Sequence, residues 1–293
     1  MRSLKEVRSR IVSVSSTRKI TSAMRMVSSV KLRKAQDAVT AFYPYKNQLE
    51  KILNGLLHSE EKETTSLLSE NRAVQNVSFV VFSSNKSLCG AFNTNVFKKT
   101  LSVLAEYKHL NKENIHIYAI GKKIAKSLKN SGYTIAKEMD DLCDNANYKE
   151  VSDLADFLMN EFVTHRTDKV ILVYNHFKNA GIQFPQTEDL LPLHITTADK
   201  ATAGFSIDYI LEPNREELIQ ELLPKVVKLH LYGSLLDSQA AEHGARTTAM
   251  QIASDNAEDL IQELKFEYNK ARQESITKQI LDIVGGAEAF RTK

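Results

Sequence analysis

The chain has 293 residues, of which 42% are hydrophobic and 26% charged, and its formal net charge at pH 7 is +3. These values are typical of a folded globular protein with one large or two ordinary domains, and they exclude a disordered chain. No apolar run approaches the ~18 residues that a membrane-spanning helix needs. The two cysteines, Cys89 and Cys143, have no metal-binding or redox spacing, so we expect both to be small buried hydrophobic residues.

The N-terminal part of the chain is predicted to be one long basic helix. Residues 1–34 hold ten Lys or Arg and one acidic residue, and no Gly or Pro occurs before Pro44. Apolar residues recur every three or four positions from Leu4 to Val14 and, after a slip in phase, at Ile20, Met24, Val27 and Val30. This start lacks the apolar core of a signal peptide. A transit peptide is not expected either, because the helical pattern begins at Leu4 and continues without a cleavage-like break.

The middle of the chain has a different pattern. Three β-branched runs, at Val77–Ser84, Ile115–Gly121 and Lys169–Phe177, alternate with helical stretches near Asn95–Tyr107, Lys122–Asn130 and Tyr148–Arg166. Strands that alternate with helices predict a parallel sheet. A polar connection at Glu60–Ala73 precedes this part of the chain.

The C-terminal stretch is predicted to be a second long helix. No Gly or Pro lies between Ala245 and Val284, and apolar residues from Met250 to Ala271 follow heptad-like spacing. Two long helices at opposite chain ends pair most simply with each other as an antiparallel coiled coil. The predicted fold is therefore an antiparallel pair of N- and C-terminal helices with an inserted Rossmann-like α/β domain. Its predicted parts are 1–75, 76–208 and 209–293.

Motifs for catalysis or cofactor binding are missing from the sequence. The turn after the first predicted strand reads SSNKSLCGAFN, whose single Gly90 cannot form a glycine-rich phosphate loop. No HExxH or CxxC motif occurs, and the eight histidines do not cluster. His243 is the most suggestive histidine, and the expected role for it is that of an ordinary helix residue.

Three interpretations stay open from the residues alone. The chain could be a part of a larger assembly, an α/β enzyme with a coiled-coil dimerisation arm, or a basic coiled coil that binds nucleic acid. The enzyme would require a glycine-rich loop or clustered catalytic residues. The nucleic-acid binder would require salt-sensitive binding to arbitrary DNA.

Three motifs carry a resemblance to a known family. They are KITSAMRMVSSVKLRKAQ near the start, SLCGAFNTNV in the first strand–helix turn, and EHGARTTAMQIASDNAEDLIQELKFEYNKARQESITKQILDIVGGAEA at the end. With these three motifs in this order along the sequence, the chain resembles the gamma subunit of rotary F-type ATP synthases. The resemblance implies a central-stalk rotor that transmits torque and has no catalytic site and no cofactor of its own.

The resemblance also implies partners and a location. The expected partners are the alpha and beta subunits of the catalytic ring, the epsilon subunit and the c ring. One copy of the chain is expected per complex, without nucleic acid and without direct membrane insertion. The expected location is the cytoplasmic face of a bacterial cell membrane, as a peripheral protein.

Several contact residues follow from the resemblance, motif by motif. Those expected to face the alpha/beta ring are Lys19, Thr21, Met24, Arg25, Arg246, Arg272, Gln273 and Thr277. Arg272 and Gln273 are the expected polar contact with a beta-subunit loop. The alternative is a purely internal role, such as an ion pair between Glu242 and Arg246 at helical spacing.

The first strand–helix turn departs from the family pattern. Lys86, Cys89 and Gly90 are possible contacts of the foot with epsilon or the c ring. However, Asn85 and Ser87 replace an acidic residue and a glycine that are usual in this turn, which weakens that expectation. Thr247 likewise stands where Met is common.

Overall fold

The computed structural model describes residues 4–58, 67–193, 211–212 and 214–291. The described residues form two compact units. The first, called here the tip unit, comprises those of Met1–Val27 and Thr247–Lys293; the second, the sheet unit, comprises those of Ser28–Arg246. Part of the predicted connection at 60–73 and the predicted boundary at residue 208 lie outside the described residues.

Both predicted long helices are present. Helix α1 covers Leu4–His58 and continues through Pro44, and the last helix, α6, covers Arg215–Arg291. The Asn214 side chain accepts a hydrogen bond from the backbone N–H of Glu217 at 2.9 Å, as an N-capping residue does. Acidic side chains at Glu216 and Glu217 complement the positive end of the helix dipole.

Between the long helices lies a five-stranded sheet with four further helices. In chain order these elements are β1 (Val77–Phe82), α2 (Phe92–Glu106), β2 (Ile115–Ile120), α3 (Lys122–Asn130), β3 (Lys137–Glu138), α4 (Asp140–Asp144), α5 (Tyr148–Val163), β4 (Lys169–Asn179) and β5 (Ile182–Leu191). The strand order is β3-β2-β1-β4-β5. Strands β1 to β4 are parallel, and β5 pairs antiparallel with β4.

The three predicted strands and their helices are confirmed, and these strands pair in parallel as predicted. The sheet also contains an antiparallel edge strand. The sequence pattern missed edge strand β5, which follows β4 through a tight turn at Asn179–Gly181. Pro185 and charged or amide side chains such as Gln186 and Glu188 interrupt its apolar alternation. Such residues are tolerated in an edge strand because one side of its backbone needs no partner. Gly181, which lies between two strand-length runs, is the sequence signal that could have predicted this hairpin.

The sheet is covered on both faces, which explains why β1 is apolar almost throughout. Phe79 and Val81 of β1 face α2 and α3 in one core cluster. Val80 and Phe82 face the other cluster, which contains α5 and the parts of α1 and α6 that belong to the sheet unit. A strand buried on both faces cannot show a polar alternation.

The tip unit buries a narrow seam. Its buried apolar side chains are Val7, Met250, Ala257, Ile261 and Leu264. After the phase slip in α1, Ile20 and Val27 lie outside this seam, at 60% and 59% exposure. Thr21, Met24 and Arg25 are half-buried instead. Two polar side chains and one apolar side chain of α1 therefore line this part of the tip unit.

Candidate partner-contact site

Polar contacts join the two helices of the tip unit. The hydroxyl groups of Thr21 and Ser254 lie 2.8 Å apart, and Ser254 is itself buried. Arg25 donates to the side-chain oxygen of Gln251, and Arg18 forms an ion pair with Glu258. Residue numbers rise along α1 as they fall along α6, so the two helices are antiparallel, as predicted.

The residues predicted to contact a ring of partners fall into two groups in the tip unit. Lys19, Arg272, Gln273 and Thr277 are exposed on the helix surface. Thr21, Met24 and Arg25 are half-buried, and the polar groups of Thr21 and Arg25 are bonded to α6. Only the first group therefore presents its polar ends to solvent.

The tip unit also exposes many large apolar side chains. Those more than half exposed are Val12, Ile20, Met26, Val27, Ile252, Phe266, Ile280, Leu281, Ile283 and Val284. The last four of these belong to an uninterrupted exposed stretch of α6, which runs from Ile276 to Ala287. Contiguous exposed apolar surface on a folded protein marks an interaction site.

The turn after β1 is held in one conformation by side chains of the sheet unit. Leu88 and Gly90 both have positive φ, at 68° and 60°, and Leu88 is 60% exposed. The Asn85 side chain donates to the backbone carbonyl of Asp140 and to the carboxylate of Asp144, both at 2.8 Å. The departure from the family pattern at Asn85 is therefore a structural link between this turn and α4.

Arg246 anchors the same turn from α6. Its guanidinium donates to the backbone carbonyls of Lys86 and Ser87 and lies 2.5 Å from the carboxylate of Glu242. Arg246 and Glu242 are each 7% exposed. The side chain of Arg246 is thus bonded inside the sheet unit, and its predicted contact with a partner rests on the resemblance alone.

Burial sets the acid–base properties near this anchor. It raises the pKa of Glu242 despite the hydrogen bond from Arg246, and it raises the pKa of the Cys143 thiol, which Glu242 also faces. Cys143 donates to the carbonyl of Ser83 at 2.9 Å, and Cys89 is 1% exposed. Both cysteines are free and buried, as predicted. A thiol whose pKa is raised is a poor nucleophile.

The three predicted foot contacts differ in accessibility. Lys86 and Gly90 are exposed at the turn, whereas Cys89 packs with Phe92, Ala241 and Ala245 in a small core cluster. Exposed Leu88 lies between them and was not singled out by its sequence. A residue with positive φ carries no sequence signal when it is not Gly, Asn or Asp.

Neither a metal-ligand cluster nor a membrane-spanning helix occurs in the part of the chain that the structure describes. Within it, no three His, Cys, Asp or Glu side chains are placed to hold a metal ion. Across the same residues, no helix has the length and apolarity required to cross a membrane. Burial and the nearby charges of Lys31 and Arg246 lower the pKa of His243 to about 4, so this histidine is neutral at pH 7.

The sequence matches a known family along nearly its whole length. The family model described as ATP synthase matches residues 3–290. A protein of Phocaeicola vulgatus named ATP synthase gamma chain is 46% identical over 290 residues, covering 99% of this chain and all of that protein. The same name belongs to a Bacteroides fragilis protein that is 47% identical over 291 residues, covering 99% of this chain and all of its own length.

Solved structures show the same fold at lower identity. A chain of the Euglena gracilis mitochondrial ATP synthase, in a structure of OSCP, F1 and c-ring, has a TM-score of 0.66 and 18% identity, covering 99% of this chain and 95% of its own. A chain of the Tetrahymena thermophila mitochondrial ATP synthase central stalk and c-ring has a TM-score of 0.57 and 20% identity. That match covers 80% of this chain and 99% of the other.

Proposed function

The chain belongs to the ATP synthase gamma-chain family, and we propose that it is the central-stalk rotor subunit of an F-type ATP synthase. In this role it couples rotation of the membrane c ring to ATP synthesis in the ring of alpha and beta subunits. It transmits torque, and the catalytic sites lie on the beta subunits. Its partners are the alpha, beta and epsilon subunits and the c ring, with one copy of this chain in each complex.

The observation that carries this proposal is the exposed apolar end of α6. Ile280, Leu281, Ile283 and Val284 are each more than half exposed, and the described part of the chain leaves them uncovered. Fully burying one such side chain is worth about 1.5–3 kcal/mol. A surrounding sleeve of subunits explains why a folded protein keeps this surface on a helix end.

The polar seam of the tip unit suits a part that turns inside a sleeve. Hydrogen bonds such as Thr21–Ser254 hold the two helices to each other, so these polar groups are not available to fix one angle against the partners. Rotation acts as a population shift, because each angle must favour one conformation of each catalytic subunit. Driving such an equilibrium from 1:99 to 99:1 requires about 5.5 kcal/mol of differential interaction.

The exposed polar residues of the tip unit are the proposed ring contacts. Arg272 and Gln273 are the proposed polar contact with a beta-subunit loop, and Lys19 and Thr277 are further proposed contacts with the ring. Their exposure in the chain supports this assignment. Thr21, Arg25 and Arg246 are proposed to reach the ring only through their backbone or the edges of their side chains, since their polar groups are bonded internally.

The turn after β1 is the proposed contact of the foot with epsilon or the c ring, through Lys86, Gly90 and the exposed Leu88. Asn85 and Arg246 hold this turn rigid, which supports a surface that must keep its shape under load. We place the assembled complex on the cytoplasmic face of a bacterial cell membrane, with this chain as a peripheral component.

The first test is the composition of the native complex. A tagged chain is extracted gently from its source membranes, and the masses of all co-purifying proteins are measured. We expect the alpha and beta subunits in excess over a single gamma chain, together with epsilon and c subunits. Recovery of the chain alone, as a self-dimer or on nucleic acid, would overturn the rotor assignment.

The ring contact is tested at Met24, which is half-buried beside the polar seam. Met24→Lys adds a charge against the ring, so we expect ion pumping to fall by a larger factor than ATP hydrolysis. Met24→Leu is the matched control, because it keeps the volume and apolarity of the side chain. A strictly proportional loss of pumping and hydrolysis in the lysine variant would contradict a role of this position in coupling.

The polar contact is tested separately by Arg272→Ala in the same assembled enzyme. We expect weaker torque transmission, seen as a higher ratio of hydrolysis to pumping than in the wild type. Lys270→Ala, at another exposed position of the same helix, serves as the control. Equal behaviour of the two variants would remove Arg272 from the proposed contact.

A further inference from the structure

One histidine of the sheet unit lies between two carboxylates from different elements. Nδ1 of His230 on α6 lies 2.6 Å from Oε1 of Glu188 on β5, and its Nε2 lies 2.8 Å from Oε1 of Glu50 on α1. The three side chains are between 22% and 32% exposed. A single imidazole ring thus bridges both long helices and the edge strand of the sheet.

This geometry favours the doubly protonated ring. A neutral imidazole has one N–H donor and one acceptor nitrogen, whereas the imidazolium ion has two donors. If the ring were neutral, one nitrogen lone pair would face a carboxylate oxygen less than 3 Å away. With both nitrogens protonated, Glu188 faces an N–H group and both carboxylates face an opposite charge.

The surrounding groups balance the charge of this cluster. From α1, the ammonium of Lys46 lies 3.6 Å from Glu50, and the phenol of Tyr43 lies near the same carboxylates. From β4, the hydroxyl of Tyr174 donates to Glu188 at 3.1 Å. Two carboxylates thus face two cations, Lys46 and His230, when the histidine is protonated, and one negative charge is uncompensated when it is not.

A second histidine–carboxylate pair lies two helical turns further along α6. Asp237 accepts hydrogen bonds from the His176 ring at 2.5 Å and from the backbone N–H of Phe177 at 2.8 Å. Burial nevertheless raises the pKa of Asp237. This pair links α6 to β4 and does not involve α1, so it differs from the His230 cluster in the elements that it joins.

The pKa shifts agree with the geometry. Burial alone would lower the pKa of His230, but Glu188 and Glu50 outweigh it and raise that pKa above the ordinary imidazole value. Burial alone would raise the pKa values of Glu188 and Glu50, and the contact with His230 lowers both. In the unfolded chain this histidine is an ordinary one, whose pKa is about 6.5.

We propose that His230 is a cationic clasp that fastens α1 and α6 to the edge strand β5, and that alkaline pH releases it. Its stabilising effect is fully present below the unfolded pKa of histidine and is lost as the pH rises through the higher pKa of the folded state. The clasp is a property of the chain itself. Its consequence for a rotor, a softer connection between the helix pair and the sheet at alkaline pH, rests on the proposed function.

The test measures hydrogen exchange of the full-length chain by mass spectrometry, comparing His230→Gln with the wild type at the same pH. At about pH 5.5, below the ordinary imidazole pKa of about 6.5, we expect severalfold faster exchange in the variant over Tyr43–Glu50 and Ile182–Leu191. As the pH is raised to about 9.5, we expect this difference between the two proteins to shrink.

The matched control is His243→Gln on the same helix. The pKa of His243 is lowered to about 4, so this ring stays neutral across the whole range of the test. Any effect of the control should therefore be the same at both pH values. If the ratio of variant to wild-type exchange for His230→Gln is equally independent of pH, the clasp is refuted.

A measurement on the wild-type chain decides the case even if the glutamine variant does not fold. Nitrogen NMR of the labelled histidines reports whether one or both ring nitrogens of His230 carry a proton. We expect both to be protonated at low pH and one proton to be released on raising the pH, with a midpoint above the ordinary imidazole value of about 6.5. A midpoint at or below that value would overturn the proposal, and this result does not depend on assembly with other subunits.

Discussion

The two units of this chain bury their side chains in different ways. The sheet unit packs aromatic and aliphatic residues such as Phe79, Phe82 and Phe162 completely, on both faces of its sheet. The tip unit has one narrow seam, in which polar pairs such as Thr21–Ser254 alternate with a few apolar residues. The sheet unit thus has a core of its own, whereas the tip unit leaves much of its apolar surface outside.

Because of this difference, substitutions in the two units are expected to affect different properties of the protein. In the sheet unit even charged groups are enclosed and bonded, as with Arg72 and Asp168. In the tip unit Phe266 and Ile283 are 73% and 72% exposed. A substitution in the sheet unit should therefore change folding, and an equivalent change on the tip surface should change assembly.

The largest expected effect is at Arg72 in the sheet unit. Its guanidinium donates to Asp168 at 2.7 Å and to the carbonyl of Phe162, and lies 4.3 Å from the centre of the Phe162 ring. Arg72→Ala would leave the 7%-exposed Asp168 without its cation. We expect a loss of about 4 kcal/mol in the free energy of unfolding, measured by urea denaturation.

The control for this prediction is an exposed ion pair of the same unit. Lys225 and Glu221 are one helical turn apart, at 2.6 Å, with both side chains largely in solvent. Lys225→Ala should change the free energy of unfolding by less than about 0.5 kcal/mol. Similar losses for the two variants would show that enclosure of the Arg72 pair contributes nothing.

The second prediction compares one substitution in both units. Leu158 of α5 is fully buried in the sheet unit, and Leu264 of α6 is 2% exposed in the seam of the tip unit. Leu158→Ala should cost about 3 kcal/mol and Leu264→Ala about 2 kcal/mol, because a seam between two helices can close over a cavity more easily than a sheet core can. Hydrogen exchange resolved by peptide measures the loss in each unit, and equal losses would contradict the comparison.

The smallest expected effect on folding is at Ile283. Because its side chain is exposed, Ile283→Gln should change the stability of the chain by less than about 0.5 kcal/mol. Binding of the chain to a ring of alpha and beta subunits should nevertheless weaken by about tenfold, since an apolar contact would be lost. Asp282→Asn is the adjacent control. Unchanged binding of Ile283→Gln would show that this surface remains uncovered in the complex.

The sequence predicted the long helices and the buried strands well, because their patterns are local. Lys122–Asn130 was predicted to the residue, and β1, β2 and β4 begin where their β-branched runs begin. The antiparallel edge strand β5 was missed because Pro185 and polar residues interrupt its apolar alternation, which an edge strand tolerates. The sequence also did not decide which residues after the phase slip face α6, since a helical pattern alone cannot show which face meets a partner.

The candidate site was predicted only in outline. The motifs identified the segments, and exposure in the structure then separated Arg272 and Gln273 from Arg25 and Arg246, whose polar groups are bonded inside the chain. Asn85, a departure from the family pattern, links its turn to α4 through the carbonyl and the carboxylate that it contacts. The spacing of Glu242 and Arg246 indicated their ion pair, but the other partners named here are distant in sequence, so no local pattern could have revealed them.

The sequence by itself determined the two long helices, the three central strands, the family and the absence of a glycine-rich phosphate loop, because each depends on neighbouring residues. Only the tertiary structure decided which polar side chains are enclosed. His230, Glu50 and Glu188 come from three separate elements and meet only after the sheet and the two long helices have packed. Since the charge on an imidazole depends on its surroundings, the properties of that histidine belong to the fold and not to the sequence around it.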